Sequence, residues 1–130
     1  MDKNKSAYKL KGLPHIYYTN LDRSPERQKY MEDQFKYWEI ENYTRIVGYD
    51  GTGEDDLSGI LKGRYPDQMG PTDVGCCTSH LKAIHHWYTT SDTSCAIMME
   101  DDCDLSIVKH WPFTWKDVYT RLPFDYDLLQ

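Results

Sequence analysis

Hydrophobic and polar positions change period several times along this chain. Residues His15 to Thr19, His-Ile-Tyr-Tyr-Thr, make a β-prone run that ends at Asn20. Ser24 and Pro25 then supply an N-cap and a first helical position. Behind them Tyr30, Met31, Gln34, Phe35 and Trp38 recur at helical spacing among charged residues, which predicts an amphipathic helix. Tyr43 to Gly51 is a second β-prone run, stopped by the Asp50-Gly51 turn signal. Residues 51–72 read as a long loop rich in Gly, Asp and Pro, with room for a short helix at Leu57 to Lys62. Thr72 or Asp73 can cap a second helix. Its apolar positions Val74, Cys77, Leu81, Ile84 and Trp87 or Tyr88 are expected to pack on a sheet. The unbroken run Cys-Ala-Ile-Met-Met-Glu predicts a third strand buried on both faces. A further helical segment is expected near Trp115 to Arg121, and Tyr-Asp-Leu-Leu-Gln at the end starts like a fourth strand. Strands alternating with helices predict an α/β fold with a mostly parallel sheet.

Composition narrows the class. The chain has 130 residues, 39% hydrophobic and 28% charged, which fits a single globular domain with a core and excludes disorder. The net charge of −6, with no basic stripe, argues against a nucleic-acid partner. The Lys-rich residues 1–12 read as a flexible, solvated terminus. No signal peptide opens the chain and no apolar run approaches the ~20 residues of a membrane span, so the cytoplasm is the expected compartment. Cys76, Cys77, Cys95 and Cys103 lack zinc-type CxxC spacing and are expected to be reduced and mostly buried. His85, His86 and His110 belong to no motif and read as surface or packing residues.

In open parallel sheets, ligands bind off the carboxyl ends of the strands. The predicted strand ends carry Asn20 to Arg23, Asp50-Gly51, and Glu100 to Asp104, so three polar clusters should meet at one rim. The third cluster holds four carboxylates in five residues, and like charges packed so closely repel. Strand alternation would put Glu100, Asp102 and Asp104 on one side and Asp101 on the other. Two readings stay open from the residues alone. The acids hold a divalent ion that in turn holds a diphosphate, or they form a solvated loop balanced by Arg23, Arg27 or Lys109. An EF-hand is excluded, because its turn Gly and terminal Glu are absent.

Four segments in this order, NLDRSPER after a strand, VGYDG ending the next, GCCTSH opening a helix and MMEDDCD ending a strand, resemble glycosyltransferase family 25, the lipopolysaccharide and collagen β-galactosyltransferase group. The resemblance runs from about Ile16 to Leu129. It implies a shortened GT-A, Rossmann-like nucleotide-sugar-binding fold over 1–130. It further implies a UDP-sugar donor, most often UDP-galactose, Mn²⁺ (or Mg²⁺) at the acidic motif, and a hydroxyl acceptor such as a glycan or lipopolysaccharide. Matched position by position, Asn20, Asp22, Arg23, Arg27, Asp50, Gly51, His80, Glu100 and Asp101 fall on the donor-binding side, and Asp102 with Asp104 on the metal. No catalytic base is identified; Asp125 and Asp127 qualify by charge alone. The family's domain looks longer than this chain. Two other expectations therefore stand beside a transferase: a truncated, non-catalytic nucleotide-sugar-binding module, and a donor half completed by a partner chain. Self-association through an open sheet edge at Leu128 to Gln130 would serve the latter.

Overall fold

The computed structural model describes residues 2–53, 55–63 and 68–130. Three strands, β1 (Ile16–Asn20), β2 (Tyr43–Val47) and β3 (Ile97–Glu100), form one sheet in the order β2-β1-β3. Both pairings are parallel, with Ile16 opposite Tyr43 on one side and Ile97 on the other. The expected α/β class is thus found as an all-parallel sheet flanked by helices, consistent with a shortened Rossmann-like GT-A fold.

Helix α1 (Pro25–Tyr37) covers one face and α2 (Pro71–Thr90) the other. Strand alternation explains the division. Ile16 and Tyr18, both 0% exposed, pack with Met31, Phe35 and Trp38 from the α1 side. Tyr17 turns to the opposite face and packs with Ile46 and Ala83. The Tyr18 hydroxyl finds Glu32 at 3.0 Å; burial first, then that carboxylate, raise its pKa far above the ordinary phenol value. Because β1 lies between β2 and β3, the chain leaves β1 toward one neighbour and later crosses to the other. That arrangement opens a crevice at the carboxyl end of β1.

Several expectations are corrected. Strand β3 is half-buried rather than buried on both faces, because among the described residues no further strand lies beside it. Tyr126 to Gln130 forms no strand and pairs with nothing there, so the open edge next to β3 is not at Leu128 to Gln130. The segment at Leu57 to Lys62 makes one turn, with Leu57 O accepting from Ile60 and Leu61, and no helix. Glu54 and residues 64–67 of the expected long loop lie outside the described residues.

The amino-terminal stretch is docked, not frayed. Ala7 and Leu10, in a 3-10 turn at Ala7–Leu10, are each 6% exposed. Lys9 Nζ donates to the carbonyls of Lys109 (2.7 Å), Trp111 (2.8 Å) and Val108 (3.4 Å), capping the 3-10 helix Leu105–His110. A cation at a helix carboxyl end satisfies carbonyls that have no intrahelical partner. Lys9→Met should therefore lower stability in urea unfolding by about 1–2 kcal/mol. An unchanged midpoint would return this segment to a solvated tail.

Helix α2 also packs differently from its apolar pattern. Val74, Gly75, Thr78, Ser79 and Ala83 are buried, while Leu81 is 60% and Tyr88 80% exposed. The buried face is small because the helix backbone lies directly on the Tyr49–Gly51 loop: a Cβ on Gly75 would sit 2.6 Å from Gly51 N. Thr78 and Ser79 place their hydroxyls back on the carbonyls of Val74 (2.7 Å) and Gly75 (2.6 Å), so neither is left unpaired. Among the described residues no helix is long and apolar enough to cross a membrane.

Candidate functional site

All three strand ends open on one cavity of about 300 Å³. Asn20, Arg23 and Arg27 line it from β1 and α1, Asp50 and Gly51 from the loop after β2, and Glu100, Asp101 and Asp102 from the end of β3. The first turns of α2 add Thr72 and Cys76. A larger hollow of about 900 Å³ lies at the other end of the sheet, between the amino-terminal segment and residues 38–42. It holds none of the motif residues, and the smaller cavity is where the chemistry gathers.

A buried polar chain forms the floor of that cavity. Asn20, 2% exposed, donates from Nδ2 to Asp101 Oδ2 at 2.7 Å and to Ser24 O at 3.1 Å. Its Oδ1 accepts from Arg45 Nε at 2.9 Å. Arg27 Nη1 reaches the other Asp101 oxygen at 3.1 Å, and Arg45 Nη2 reaches Asp22 at 2.8 Å. One line of contacts thus joins α1, the end of β1, the middle of β2 and the acidic turn after β3. A buried carboxylate is tolerated only with such partners, and Asp101, 7% exposed, has an amide on one oxygen and a guanidinium on the other.

Beyond β3 the acids divide as the alternation has it: Asp101 is buried, and Glu100, Asp102 and Asp104 are exposed. The strand itself stops at Glu100. Asp101 turns inward. Asp104 caps the next 3-10 helix, accepting from Ser106 N at 2.8 Å and Ser106 Oγ at 3.0 Å, and these bonds hold its carboxyl below the usual range. Gln34 of α1 grips the turn, donating to Cys103 O at 2.9 Å and accepting from Leu105 N at 2.8 Å. Asp102 is exposed, lines the cavity, and makes no hydrogen bond or ion pair among the described residues.

The remaining expected residues fall into two groups. Arg23 pairs with Asp50 at the rim; Thr52 first and Arg23 next hold the Asp50 carboxyl below the ordinary range. Gly51 admits the start of α2: a Cβ there would sit 1.8 Å from Pro71 O. Asp22, Asp104 and His80 do not line the cavity. Asp22 is spent on Arg45, and His80 Nε2 meets Glu100 Oε1 at 3.1 Å. Cys76 Sγ donates to the same Glu100 oxygen at 3.5 Å. Burial, then Glu100, push the Cys76 thiol up to about 11. Asp125 and Asp127 lie outside the cavity lining.

Two residues of this site escaped sequence reasoning. Arg45 carried no motif; its signal was a charged residue inside an otherwise uncharged strand. Cys76 belongs to the GCCTSH segment but is given no ligand role there, although it stands one helical turn from His80.

An all-oxygen cage for Mn²⁺ or Mg²⁺ would need several carboxylates aimed at one point. Among the described residues, the donor atoms of Glu100, Asp102 and Asp104 do not converge; the group that does is Cys76, His80 and Glu100. Asp102 alone still fits the commoner arrangement for a hard ion, in which one or two carboxylates hold it and phosphate oxygens and water complete its shell.

A family model described as glycosyltransferase family 25 (LPS biosynthesis protein) matches residues 13–115. No curated protein and no solved structure matches the chain.

Proposed function

The chain belongs to glycosyltransferase family 25, and from that premise we propose that it moves a hexose, galactose in the first instance, from a UDP-sugar to a hydroxyl of a glycan or lipopolysaccharide acceptor. Family membership itself brings a donor and an acceptor in general terms; the nucleotide, the sugar and the ion are the proposal.

The observation that carries it is the meeting of Asn20, Asp50 and Asp102, far apart in sequence, in one cavity at the carboxyl rim of a parallel sheet. The cavity sits at the lower end of ligand-pocket sizes, ~300–1,000 Å³. Arg23 and Arg27, with side chains 63% and 54% exposed, can turn their free guanidinium N–H groups to a diphosphate. The first turn of α2 brings a helix amino end, with Thr72, to the same place, and such an end favours an anion. Asp50, a carboxylate on the cavity wall, suits hydrogen bonding to a nucleoside. Asp102 is the carboxylate left to hold Mn²⁺ or Mg²⁺ together with the donor's phosphates, and an ion bound there would screen charge on the leaving diphosphate.

Calorimetry with UDP, with and without Mn²⁺, tests this. UDP should bind, and Mn²⁺ should tighten it at least about tenfold, an increment of about 1.4 kcal/mol. Asp102→Ala should bind UDP with no response to Mn²⁺. UDP release from UDP-galactose over a panel of hydroxyl acceptors then tests transfer. No UDP binding under either condition would refute the nucleotide-sugar assignment. Binding without release from any sugar donor would leave a binding module in place of an enzyme.

A further inference from the structure

We propose that Cys76, His80 and Glu100 form a binding site for a borderline-soft divalent ion, Zn²⁺ by preference, distinct from the Asp102 carboxylate. Cys76 and His80 are one turn apart on α2, so their side chains leave the same face of the helix. Glu100, at the end of β3, comes up against both. The Cys76 Sγ to Glu100 Oε1 distance is 3.5 Å and the His80 Nε2 to Glu100 Oε1 distance 3.1 Å; all three donor atoms lie within 4.8 Å of one another. A tetrahedral zinc with ordinary Zn–S, Zn–N and Zn–O bonds spaces its ligands about 3.3–3.6 Å apart. Two edges of that tetrahedron are therefore nearly preformed.

The donor set decides the ion. Thiolate, imidazole and carboxylate together suit Zn²⁺ or Co²⁺, whereas Mg²⁺ and Mn²⁺ favour oxygen alone. As the ion binds, the Cys76 thiol proton goes to solvent and a sulfur–metal bond replaces the S–H bond. Cys76 and Glu100 line the cavity, so a fourth position is left to water or to a ligand held there. Three protein ligands with an open place are the pattern of reactive, not structural, zinc sites. The ion would also tie the start of α2 to the end of β3 across one wall of the cavity.

Co²⁺ is the probe, titrated into the reduced, metal-free full chain without nucleotide. Thiolate-to-cobalt charge-transfer absorption in the near ultraviolet should rise to one equivalent, and Zn²⁺ should displace it. Cys76→Ser should abolish the band, while Cys77→Ser, at the exposed neighbouring thiol, should leave it intact. His80→Ala and Glu100→Gln should each weaken cobalt binding by more than about tenfold. No band in the parent chain, a band that survives Cys76→Ser, or unchanged affinity in Glu100→Gln would overturn the site. None of these measurements involves UDP, so failure here leaves the nucleotide-sugar proposal standing, and the reverse also holds.

Discussion

Asn20→Ala is expected to lower the unfolding free energy by about 2–3 kcal/mol, a large loss for a domain of this size. Asn20 is 2% exposed and serves two ionised neighbours at once, donating to Asp101 and accepting from Arg45. Alanine leaves the Asp101 Oδ2 atom buried with its close donor gone. Such desolvated, unpaired oxygens cost more than the net worth of a hydrogen bond. The loss stays below the ~3–5 kcal/mol of a fully orphaned buried charge, because Arg27 still reaches the other oxygen of Asp101. Arg45 likewise keeps Asp22. Asp101→Ala removes the same contact from the other side. The double variant should then be less destabilised than the two single losses added together, by about 1–2 kcal/mol. Urea unfolding of the four proteins closes the cycle. Simple additivity would mean that the two groups do not act as a pair in solution. The Asn20→Ala chain should also bind UDP more weakly, since the floor of the cavity and the grip on the acidic turn are one structure.

How much of this was legible beforehand follows from what each signal measures. Strand β1, the Ser24-Pro25 start of α1 and the start of β2 at Tyr43 could be read, because apolar runs and turn residues report local backbone preference, whereas β2 ends at Val47, short of the Asp50-Gly51 turn. The convergence of strand ends followed from parallel topology. Ser24 itself makes no side-chain cap bond, so its position was legible and its contact was not. The packed face of α2 was misread for a physical reason. Periodicity finds large apolar residues, whereas this helix approaches a loop by its backbone at Gly75 and Ser79 and the sheet at Ala83, where small residues are needed. Alternation separated Asp101 from Glu100, Asp102 and Asp104, but its bonds to Asn20 and Arg27 could not be read from it. Arg27 was one of three cations named to balance the acids, but its pairing with Asp101 in particular spans 74 residues of sequence, and no local pattern in either segment specifies it. Lys9 reaches across a still longer separation to the carbonyls of residues 108–111, so the Lys-rich start of the chain looked like a tail.

Gly75→Ala is the substitution in which local and tertiary effects oppose each other most directly. In an isolated helix the change would stabilise by about 1 kcal/mol, since glycine is the poorer helix former. Here the added Cβ would meet Gly51 N at 2.6 Å, Tyr49 O at 2.8 Å and Gly51 Cα at 3.1 Å. All three are backbone atoms, so no side chain can rotate to make room; the helix or the loop must move. Overpacking of this kind costs about 1–3 kcal/mol and occasionally more, which outweighs the gain in propensity. A net loss of about 1–2 kcal/mol is expected in thermal unfolding. Gly51→Ala, with its Cβ 1.8 Å from Pro71 O, should lose more. Because both clashes fall on one contact, the double variant should fall short of their sum. Gly59→Ala has nothing within 4 Å of its added Cβ and should stay within ~0.5 kcal/mol of the parent. The displacement has a consequence for the cavity. Thr72 and Cys76 line it from the first turns of α2, and Asp50 from the loop that the helix rests on. Pushing the two apart should weaken UDP binding in Gly75→Ala, even at temperatures where the chain is fully folded. Stability equal to or above that of the parent would mean that α2 does not rest on this loop, and the wall assigned to the site would have to be redrawn.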